Sequence, residues 1–483
     1  MRDRLWFNPA QVFVGGRWTD PQGGDGLPIE DPSTGSEIGL LAKGGSADID
    51  AAVDAAQSAL LGDWGRMTAA ERGRILSRLG QLVLSRADDL AHIEAVDVGK
   101  PLKQARADAM ALARYMEFYG GAADKVMGDT IPYLDGYTVY TLREPYGVTG
   151  HIVPWNYPMQ IIGRSVGAAL AMGNACVLKP AEEACLTAMA FADLAHQAGL
   201  PAGALNVVPG LGSEAGAALS RHPGVRHLSF TGSVATGALV QGEAAKNIVP
   251  VTLELGGKSP QLVFADADLD KALPFLVNAG IQNAGQTCSA ASRILVERSR
   301  YDEVVERMAA RYAGLRTGPA LADLDLGPLI SARQKGIVET YLALARDLTI
   351  AARGRIEPDA PTGGHYLAPT LLADVHPDHR LAREEIFGPV QVVIPFNGED
   401  EAIAIANSTD YGLVASVWTE TGARQMRLAK RLRAGQVFIN NYGAGGGVEL
   451  PFGGVGKSGH GREKGFEALY GFSTLKTVAA RHG

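Results

Sequence analysis

The sequence has few of the features that mark a secreted, membrane-bound or nucleic-acid-binding protein. Its 483 residues include three cysteines, Cys176, Cys185 and Cys288, whose number and spacing fit neither a disulfide framework nor a zinc site. The longest uncharged apolar stretch, from Ser165 to Leu178, is too short to span a bilayer. No run of lysine or arginine stands out, and the net charge of −7 disfavours a nucleic-acid partner.

The N-terminal segment, residues 1–14, mixes charged and apolar residues and lacks the long apolar core of a signal peptide. We therefore expect a cytoplasmic protein that binds neither a membrane nor a metal ion. The length favours two or three domains, and the 46% of hydrophobic residues can fill a large core.

Hydrophobic spacing in the first quarter of the chain predicts a hairpin followed by helices. Residues 12–18 have β character around the pair Gly15-Gly16. Helical spacing then recurs, with Ser46 and Thr68 as candidate N-caps and Glu71 as the capping-box partner of Thr68. The predicted helices cover 47–60, 69–84, 87–98 and 104–126.

From residue 148 onward, strand and helix patterns alternate, which predicts a parallel, doubly wound sheet. A second α/β stretch follows over residues 259–438. Residues 137–141 and the tail 474–479 are both strand-like and are expected to pair. In the first stretch the predicted strands are 147–153, 175–178, 205–208, 227–230 and 250–255, and the predicted helices are 161–172, 184–197, 214–219 and 234–245.

Among the three cysteines, Cys288 is the candidate nucleophile. Cys176 lies in an apolar strand pattern, and Cys185 is likewise interpreted as a small buried hydrophobe. Small and polar residues surround Cys288, from Gly285 to Ser289, which suits a loop that enters a helix, where backbone N–H groups favour a thiolate.

Four local sequences, in order along the chain, closely resemble those of the aldehyde dehydrogenase superfamily. The resemblance covers nearly the whole chain and extends to succinate-semialdehyde and betaine-aldehyde dehydrogenases. The four are PWNYP at 154–158, LELGGKSP at 253–260, GQTC at 285–288 and EEIFGP at 384–389.

This resemblance implies an α/β fold with a Rossmann-like cofactor domain, an α/β catalytic domain and a small β element for oligomerisation. The expected ranges are 1–122 with 146–256 for the cofactor domain, 257–456 for the catalytic domain, and 123–145 with 457–483 for the oligomerisation element. An exposed β edge favours pairing with another subunit, so we expect a dimer or a tetramer.

In the family the aldehyde is oxidised to a carboxylic acid through a thioester on the cysteine that matches Cys288. The resemblance makes Asn156 the oxyanion donor, together with the backbone N–H of Cys288. It makes Glu254 the base that activates the hydrolytic water. Without the family context, Asn156 between two prolines is an ordinary turn residue, and Glu254 is a structural carboxylate.

No strict GxGxxG follows a strand, so the dinucleotide site rests on the resemblance as well. Lys179 and Glu182 follow an apolar strand and match the ligands of the adenine ribose. Because Glu182 would repel a 2′-phosphate, we predict NAD rather than NADP. Gly232 and Ser233 precede a helix whose N-terminus suits pyrophosphate. The further cofactor residues implied are Pro154, Trp155, Glu385 and Phe387.

Arg164 is the most informative residue for the substrate. In succinate-semialdehyde dehydrogenases an arginine at this position binds the distal carboxylate, so the resemblance favours an aldehyde with an anionic group. The alternative is an arginine in a structural ion pair. A competing similarity, over residues 285–293, points to betaine or amino aldehydes, for which Tyr157 would form one wall of an aromatic cage. Thr287, Phe452 and the loop 442–449 complete the expected pocket.

Other function classes remain open in the sequence. A non-catalytic member of the family would be expected to lack Cys288 or Glu254, and a CoA-acylating member usually lacks the glutamate. A cysteine hydrolase needs a histidine partner, and none of the ten histidines lies in a motif that suggests one.

Overall fold

The first quarter of the chain forms short antiparallel strands and then a layer of helices. The computed structural model describes residues 4–24, 26–443 and 447–483. The predicted hairpin is confirmed, and Gly15 and Gly16 turn it with φ of 59° and 76°, a left-handed conformation open to glycine. The elements are β1 (Val12–Val14), β2 (Arg17–Thr19), β3 (Gly26–Asp31), β4 (Ser36–Ala42), α1 (Ser46–Leu61), α2 (Asp63–Arg66), α3 (Ala69–Ser85), α4 (Ala87–Val98) and α5 (Leu102–Ala122).

The starts of α1 and α3 are capped differently. The hydroxyl of Thr68 accepts from the Glu71 N–H at 3.3 Å, and the Glu71 carboxylate accepts from the Thr68 N–H at 2.8 Å, so the predicted capping box is confirmed. The prediction that Ser46 caps α1 is wrong by one residue. Gly45 occupies the cap, and Asp48 accepts its N–H at 2.9 Å, so the serine hydroxyl has no capping role.

The middle of the chain builds a sheet whose central strands are parallel in the order β9-β8-β7-β10-β11. Counted along the chain from β7, this is the order 3-2-1-4-5, which reverses between β7 and β10. The predicted Rossmann-like sheet is therefore confirmed. Its region contains β5 (Thr130–Ile131), β6 (Tyr137–Pro145), β7 (Val148–Val153), α6 (Pro158–Ala171), β8 (Ala175–Pro180), α7 (Leu186–Gln197), β9 (Leu205–Val207), α8 (Ala217–Arg221), β10 (His227–Thr231), α9 (Val234–Ala245) and β11 (Val251–Glu254).

Two of the predicted helices differ most from those in the structure. The helix predicted over 214–219 is instead a π-helical turn, Gly212–Gly216, that leads into α8. The helix predicted over 104–126 begins earlier and ends at Ala122, where the chain leaves towards β5.

The second α/β stretch forms its own sheet in the order β15-β17-β18-β13-β12-β19-β20, with β15 antiparallel at one edge. The remaining elements are β12 (Pro260–Val263), α10 (Leu269–Ile281), β13 (Arg293–Glu297), α11 (Tyr301–Gly314), β14 (Arg316–Thr317), α12 (Ala332–Leu342), β15 (Thr349–Arg353), β16 (Arg355–Ile356), β17 (Thr370–Ala373), α13 (Arg380–Arg383), β18 (Val390–Phe396), α14 (Gly398–Ala406), β19 (Val414–Trp418), α15 (Gly422–Arg431), β20 (Gln436–Ile439), β21 (Gly459–His460), α16 (Gly465–Gly471) and β22 (Ser473–Arg481).

The C-terminal segment contributes to two sheets. β22 pairs antiparallel with β6 along its whole length, from Ser473 opposite Pro145 to Arg481 opposite Tyr137, so the predicted pairing of the tail is confirmed. β21 pairs antiparallel with β11 and closes one edge of the first sheet. Part of the range 457–483 therefore belongs to the first sheet as well as to the small β element.

Each large sheet covers a hydrophobic core of its own. The first core gathers side chains from the N-terminal helices and the first sheet, among them Leu76, Val166 and Phe191. The second gathers side chains between residues 262 and 432, among them Leu295 and Phe396. Nowhere in the described ranges is a helix both long and apolar enough to cross a membrane.

Candidate active site

The carboxyl edge of the first sheet carries most of the residues singled out by the sequence. Asn156 follows β7, Glu182 follows β8, Ser233 follows β10, and Glu254 is the last residue of β11. Because parallel strands end at the same edge, these residues lie along one edge of the sheet, and the strand order reverses within it. Ligands in open α/β sheets bind at such a position.

Cys288 comes from the other region, in a turn after α10. The preceding 3₁₀ turn, Gln282–Gly285, holds Asn283, Ala284 and Gly285 at φ of 48°, 53° and 74°. A Cβ at Gly285 would lie 2.1 Å from the Gly388 carbonyl oxygen, so only glycine fits. The expectation that Cys288 lies in a loop entering a helix is wrong: the helix and the 3₁₀ turn precede it, and β13 follows.

Three hydrogen bonds join the Cys288 loop to the first sheet. The Asn156 Nδ2 donates to the Gln286 carbonyl at 3.0 Å, and the Asn283 Nδ2 donates to the Asn156 carbonyl at 3.0 Å. The Tyr157 hydroxyl and the Thr287 Oγ1 lie 3.0 Å apart. The sequence that contains Asn156 therefore fixes the loop that carries Cys288.

One cavity of about 390 Å³ has Cys288 and Asn156 in its wall. Six of the seven residues proposed for catalysis or substrate binding line it, including Arg164. The seventh, Glu254, is not among the lining residues. Both polar and apolar side chains line the cavity. Its other lining residues include Gln104, Asp108, Tyr115, Gln160, Ile161, Phe275, Gln282, Ser289, Tyr442 and Lys464.

The environment of Cys288 differs from that of the other cysteines. Cys176 and Cys185 are buried in the first core, whereas Cys288 is half-buried in the cavity wall. Burial raises the pKa of the Cys288 thiol to about 11, with the neighbouring Arg164 charge acting in the opposite direction. The resting side chain is therefore a thiol, and thiolate formation requires a base.

Glu254 is buried at the end of β11, and neither carboxylate oxygen has a hydrogen-bond partner among the described residues. Burial raises its pKa well above the usual range, while the Arg164 charge lowers it. Gly453 provides the space for this carboxyl, because a Cβ there would lie 2.7 Å from the Glu254 Oε1. The charge of Glu254 acts on Cys288, so once ionised this carboxylate can serve as a proton acceptor for the site.

Arg164 lines the cavity but is not a free cation. Its Nε lies 2.5 Å from the Glu463 Oε2, and its Nη2 donates to the Thr231 Oγ1 at 3.2 Å. Glu463 in turn accepts from the Ser229 hydroxyl at 2.5 Å. Both members of the ion pair are buried, so the charge of Arg164 is offset within the protein.

Cations of the protein already cover aromatic rings in the wall. The Lys100 Nζ lies 4.1 Å from the centroid of the Tyr157 ring. The Arg164 guanidinium lies 5.0 Å from the Phe452 centroid, and the Lys464 Nζ lies 5.7 Å from the same centroid. The rings that could hold a substrate cation therefore face positive charges.

The residues expected to hold the adenine side of the cofactor lie together. The Lys179 Nζ is 2.8 Å from the Glu182 Oε2. Burial alone would raise the pKa of Glu182, but the Lys179 charge and hydrogen bonds lower it, so the carboxylate is ionised. Ser233 caps α9 by accepting the Thr236 N–H at 3.2 Å, and the Gly232 N–H donates to the Glu254 carbonyl at 3.0 Å.

On the nicotinamide side, Glu385 lies against two glycines. Its Oε1 accepts from the Gly257 N–H at 3.0 Å, and a Cβ on Gly256 would lie 2.1 Å from its Oε2. Burial raises the pKa of Glu385 to about 7. Trp155 and Phe387 pack edge to face with centroids 5.4 Å apart, and Pro154 leads from β7 into this segment.

Comparison with known proteins identifies the family. The model of the aldehyde dehydrogenase family matches residues 18–478. The chain belongs to the aldehyde dehydrogenase family. The prediction of a nicotinamide-dependent aldehyde dehydrogenase is thereby confirmed at the level of the family.

Individual relatives match almost from end to end. A hydroxyisobutyraldehyde dehydrogenase of Mycolicibacterium austroafricanum is 42% identical over 472 residues, which cover 97% of this chain and 93% of the relative. A crystal structure of a Burkholderia cenocepacia protein described as an aldehyde dehydrogenase is 65% identical, with a TM-score of 0.98 and coverage of 98% and 100%. The betaine aldehyde dehydrogenase of Staphylococcus aureus, in complex with NAD+, is 33% identical, with a TM-score of 0.96 and coverage of 100% and 96%.

Sequence reasoning missed several residues of this aldehyde dehydrogenase site. Lys464 and Gln160 line the cavity, and Glu463 pairs with Arg164. No local pattern around positions 463 and 464 indicates that two charged residues are buried there. Of the expected loop 442–449, Tyr442 and Gly443 line the cavity, and residues 444–446 lie outside the described residues.

Proposed function

We propose that this chain oxidises an aldehyde to a carboxylic acid with NAD, through a thioester on Cys288. The observation that carries the proposal is one cavity with Cys288 and Asn156 in its wall, together with the buried carboxyl of Glu254, which has no hydrogen-bond partner among the described residues and whose charge acts on Cys288. A nucleophile, an oxyanion donor and a base are the groups that aldehyde oxidation through a thioester needs.

In the first half-reaction the Cys288 thiol transfers its proton to solvent water acting as the base, and the thiolate attacks the aldehyde carbon, which gives a tetrahedral thiohemiacetal. The developing oxyanion is held by the Asn156 amide and the Cys288 backbone N–H. An amide carries two N–H groups, so Asn156 can donate to the Gln286 carbonyl and to the oxyanion together. NAD, when bound, supplies the acceptor for the hydride that leaves as the carbonyl re-forms.

Glu254 acts in the second half-reaction. Its ionised form takes a proton from water, the hydroxide attacks the thioester, and the Cys288 thiolate leaves as the acid is released. The burial that raises the pKa of Glu254 makes it a stronger base when it is ionised. Hydrolysis by this route requires no CoA.

The residues at the carboxyl edge fit a dinucleotide. The N-terminus of α9 opens where the strand order reverses, and its backbone N–H groups suit pyrophosphate. Lys179 and Glu182 lie at the end of β8 for the adenine ribose, and Glu385 lies beside Cys288 for the nicotinamide ribose. The ionised Glu182 supports NAD over NADP, because a 2′-phosphate would meet a carboxylate.

NADH formation with a panel of aldehydes tests this function, with each cofactor and with the acid product quantified. The panel contains succinate semialdehyde, glutarate semialdehyde, betaine aldehyde, benzaldehyde and hexanal. We expect turnover with NAD and without CoA. A Glu254→Gln variant is expected to keep the first half-reaction and to accumulate an acyl group on Cys288, detectable by intact-protein mass spectrometry. A CoA requirement, or no NADH with any aldehyde, would overturn the proposal.

For the substrate we propose an aldehyde with an anionic group rather than betaine or an amino aldehyde. The Lys100 and Arg164 cations on the rings of Tyr157 and Phe452 disfavour a second cation. The Arg164–Glu463 ion pair means that Arg164 alone does not explain an anionic substrate. The panel above separates these substrates by their kcat/KM values.

We also propose a cytoplasmic homo-oligomer that forms through the small β element. Apolar side chains on this sheet are exposed on a single chain, as expected for a surface covered by another subunit. The exposed residues are Ile131, Tyr140, Leu142 and Leu475. Sedimentation velocity measures the state directly.

A further inference from the structure

The loop between α4 and α5 buries a lysine that is shared by two carboxyl groups. The Lys100 Nζ donates to the Glu94 Oε1 at 2.9 Å and to the Asp108 Oδ2 at 2.5 Å. All three residues are almost fully buried, with at most 2% of each exposed. We call these three residues the Lys100 cluster. They take no part in the chemistry proposed above, so their burial needs another explanation.

The two carboxyl groups of the Lys100 cluster differ in charge. Burial raises the pKa of Glu94 above pH 7, although the Lys100 charge lowers it, so Glu94 retains its proton at neutral pH. Burial would lower the pKa of Lys100, but the Asp108 and Glu94 charges raise it, so the ammonium persists. The charges of Lys100 and Asp108 therefore offset each other.

The Lys100 cluster contacts the start of α6 at two points. The Lys100 Nζ lies 4.1 Å from the centroid of the Tyr157 ring, and the Asp108 Oδ1 accepts from the Gln160 Nε2 at 2.6 Å. Residues three apart in a helix lie on the same side of it. A desolvated ammonium over an aromatic face is a strong contact, because water does not compete for the charge. The cluster therefore fixes the first turn of α6 against α4 and α5.

The start of α6 in turn contacts the loop that carries Cys288. The Tyr157 hydroxyl and the Thr287 Oγ1 lie 3.0 Å apart. Asn156, the proposed oxyanion donor, directly precedes Tyr157 in the chain. The Tyr157 side chain is therefore held on its ring face by Lys100 and holds, with its hydroxyl, the residue next to Cys288.

The helix that carries Asp108 contacts the same loop directly. The Gln104 Oε1, one turn earlier on α5, accepts from the Asn283 N–H at 2.9 Å. Asn283 is the first of the left-handed residues in the turn before Cys288. The segment from Lys100 to Asp108 therefore supports this loop through Tyr157 and through Gln104.

We propose that Lys100 is a positioning residue, which holds the Tyr157 ring and thereby aligns Asn156 and Cys288 for attack on the aldehyde. This inference rests on the proposed function, because the groups that it aligns are the ones that react there. Lys100 is not among the described residues that line the cavity, so it acts through Tyr157. The alternative is a cluster that only stabilises the packing of α4 against α5.

The variant that removes the ammonium without leaving an unpaired charge is Lys100→Met combined with Asp108→Asn. Lys100→Met alone would leave a buried carboxylate without its cation, whereas asparagine keeps an oxygen for the Gln160 amide. With the aldehyde of the panel that is oxidised fastest, we expect kcat to fall about 10- to 100-fold, the effect of a small displacement of reacting groups. KM for NAD should stay within about twofold, because the residues expected to bind NAD are unchanged.

Two further variants serve as controls. Lys457→Met with Asp410→Asn makes the same double change in an exposed ion pair of 2.7 Å and should leave kcat near the wild-type value. Asp108→Asn alone keeps the ammonium over the ring, with Glu94 as its counter-ion, and should lose less activity than the double variant. Thermal melting of all variants checks that each is folded.

Two readouts separate positioning from general stabilisation. Hydrogen–deuterium exchange needs neither aldehyde nor cofactor. In the Lys100→Met/Asp108→Asn variant, exchange over residues 282–290 should rise about 10- to 30-fold, the effect of losing a desolvated cation from an aromatic face, while exchange over β8 stays the same. In a Tyr157→Leu background, the double change should cause no further loss of kcat.

A local rise in exchange, together with a fall in kcat that disappears in the Tyr157→Leu background, supports the inference. An unchanged kcat, a rise in exchange that includes β8, or a full further loss in the Tyr157→Leu background overturns it, while NADH formation by the wild type upholds the proposed function. Absence of NADH in the wild type overturns the proposed function, and exchange over 282–290 then decides whether Lys100 holds the loop.

The inference remains testable if the double variant does not fold. Tyr157→Phe and Tyr157→Leu both lose the hydroxyl, but only phenylalanine keeps a ring beneath the ammonium. We expect a lower kcat in Tyr157→Leu than in Tyr157→Phe. Equal kcat values would overturn the inference.

Discussion

The two regions that meet at the cavity position their chemistry in different ways. In the first, Asn156, Glu182, Ser233 and Glu254 each follow or end a parallel strand, so the sheet topology alone brings them to one edge. In the second, Cys288 lies in an irregular turn after three left-handed residues, held by a glycine that no other residue can replace. A regular region tolerates local change, because its geometry is distributed over many hydrogen bonds. The turn depends on a few close contacts.

The largest effect is expected from the nucleophile itself. Cys288→Ser should reduce kcat/KM by at least about 10⁴-fold, since the serine hydroxyl is a far weaker nucleophile than the thiol that it replaces. Cys185→Ser makes the same change in the first core, where the side chain packs against the sheet, and should reduce activity only a few-fold. Equal losses in steady-state assays would remove the distinction between the two cysteines.

The next effect concerns the residue of the regular region that contacts the turn. Asn156→Ala should lower kcat by about 10²- to 10³-fold, the effect of losing one oxyanion donor. Tyr157→Phe removes a neighbouring hydrogen bond to the same loop, at Thr287, without removing an oxyanion donor. A smaller loss in Tyr157→Phe indicates that the Asn156 amide acts on the substrate. Equal losses indicate that both residues only hold the loop.

Acid should affect the regular region through two buried histidines, His151 on β7 and His227 on β10. Burial lowers the pKa of each to about 3, whereas an unfolded histidine binds a proton near pH 6.5. Below pH 6.5 the unfolded state therefore binds more protons, and stability falls as pH decreases. The slope is up to about 1.4 kcal/mol per pH unit for each histidine.

Urea unfolding of the wild type and of His227→Gln at pH 7 and pH 5 measures that slope. The variant should lose less stability between the two pH values. The same loss in both proteins would mean that other groups govern the acid response.

The turn itself can be perturbed at its glycine. Gly285→Ala combines φ of 74° with a contact of 2.1 Å to the Gly388 carbonyl, so we expect a loss of about 2 kcal/mol in unfolding free energy and a larger relative loss of activity. Gly336→Ala in α12 adds a methyl group to open space and should stabilise by about 0.5 kcal/mol. Thermal melts and kcat values of both variants provide the comparison. Equal melting temperatures would show that the turn adapts.

The smallest expected effect is on the choice between NAD and NADP, at Glu182 after β8. Glu182→Ser removes the carboxylate that a 2′-phosphate would meet and should raise the NADP-to-NAD ratio of kcat/KM about tenfold, the effect of roughly 1.4 kcal/mol. Cys288 is not touched, so turnover with NAD should fall much less. An unchanged ratio would exclude Glu182 as the residue that distinguishes the cofactors.

The regular region was the more predictable of the two. The alternation of strand and helix predicted the parallel sheet, and the motifs at 154–158 and 253–260 then predicted which residues lie at its edge. The π-helical turn at 212–216 was missed, because its residues have the same spacing as a short α-helix.

The turn and the ion pairs were not predictable from local pattern. Gly285 indicated a special conformation, but nothing in the sequence reveals that Asn283 and Ala284 share it. The pairing of Arg164 with Glu463 joins residues 299 positions apart, and Lys464 enters the cavity only because β21 and its neighbours fold back along β11. Such contacts depend on tertiary structure.

The three hydrogen bonds between the Asn156 segment and the Cys288 loop have a consequence for inactivation. They are part of the contact between two bodies that each have a core of their own, and they are the part that lies at the reacting groups. A slight separation there would misalign those groups while both cores stayed intact. Loss of turnover in dilute denaturant should thus precede loss of secondary structure. The rate of inactivation is then determined by the contact between the two cores at the active site and not by the stability of either core.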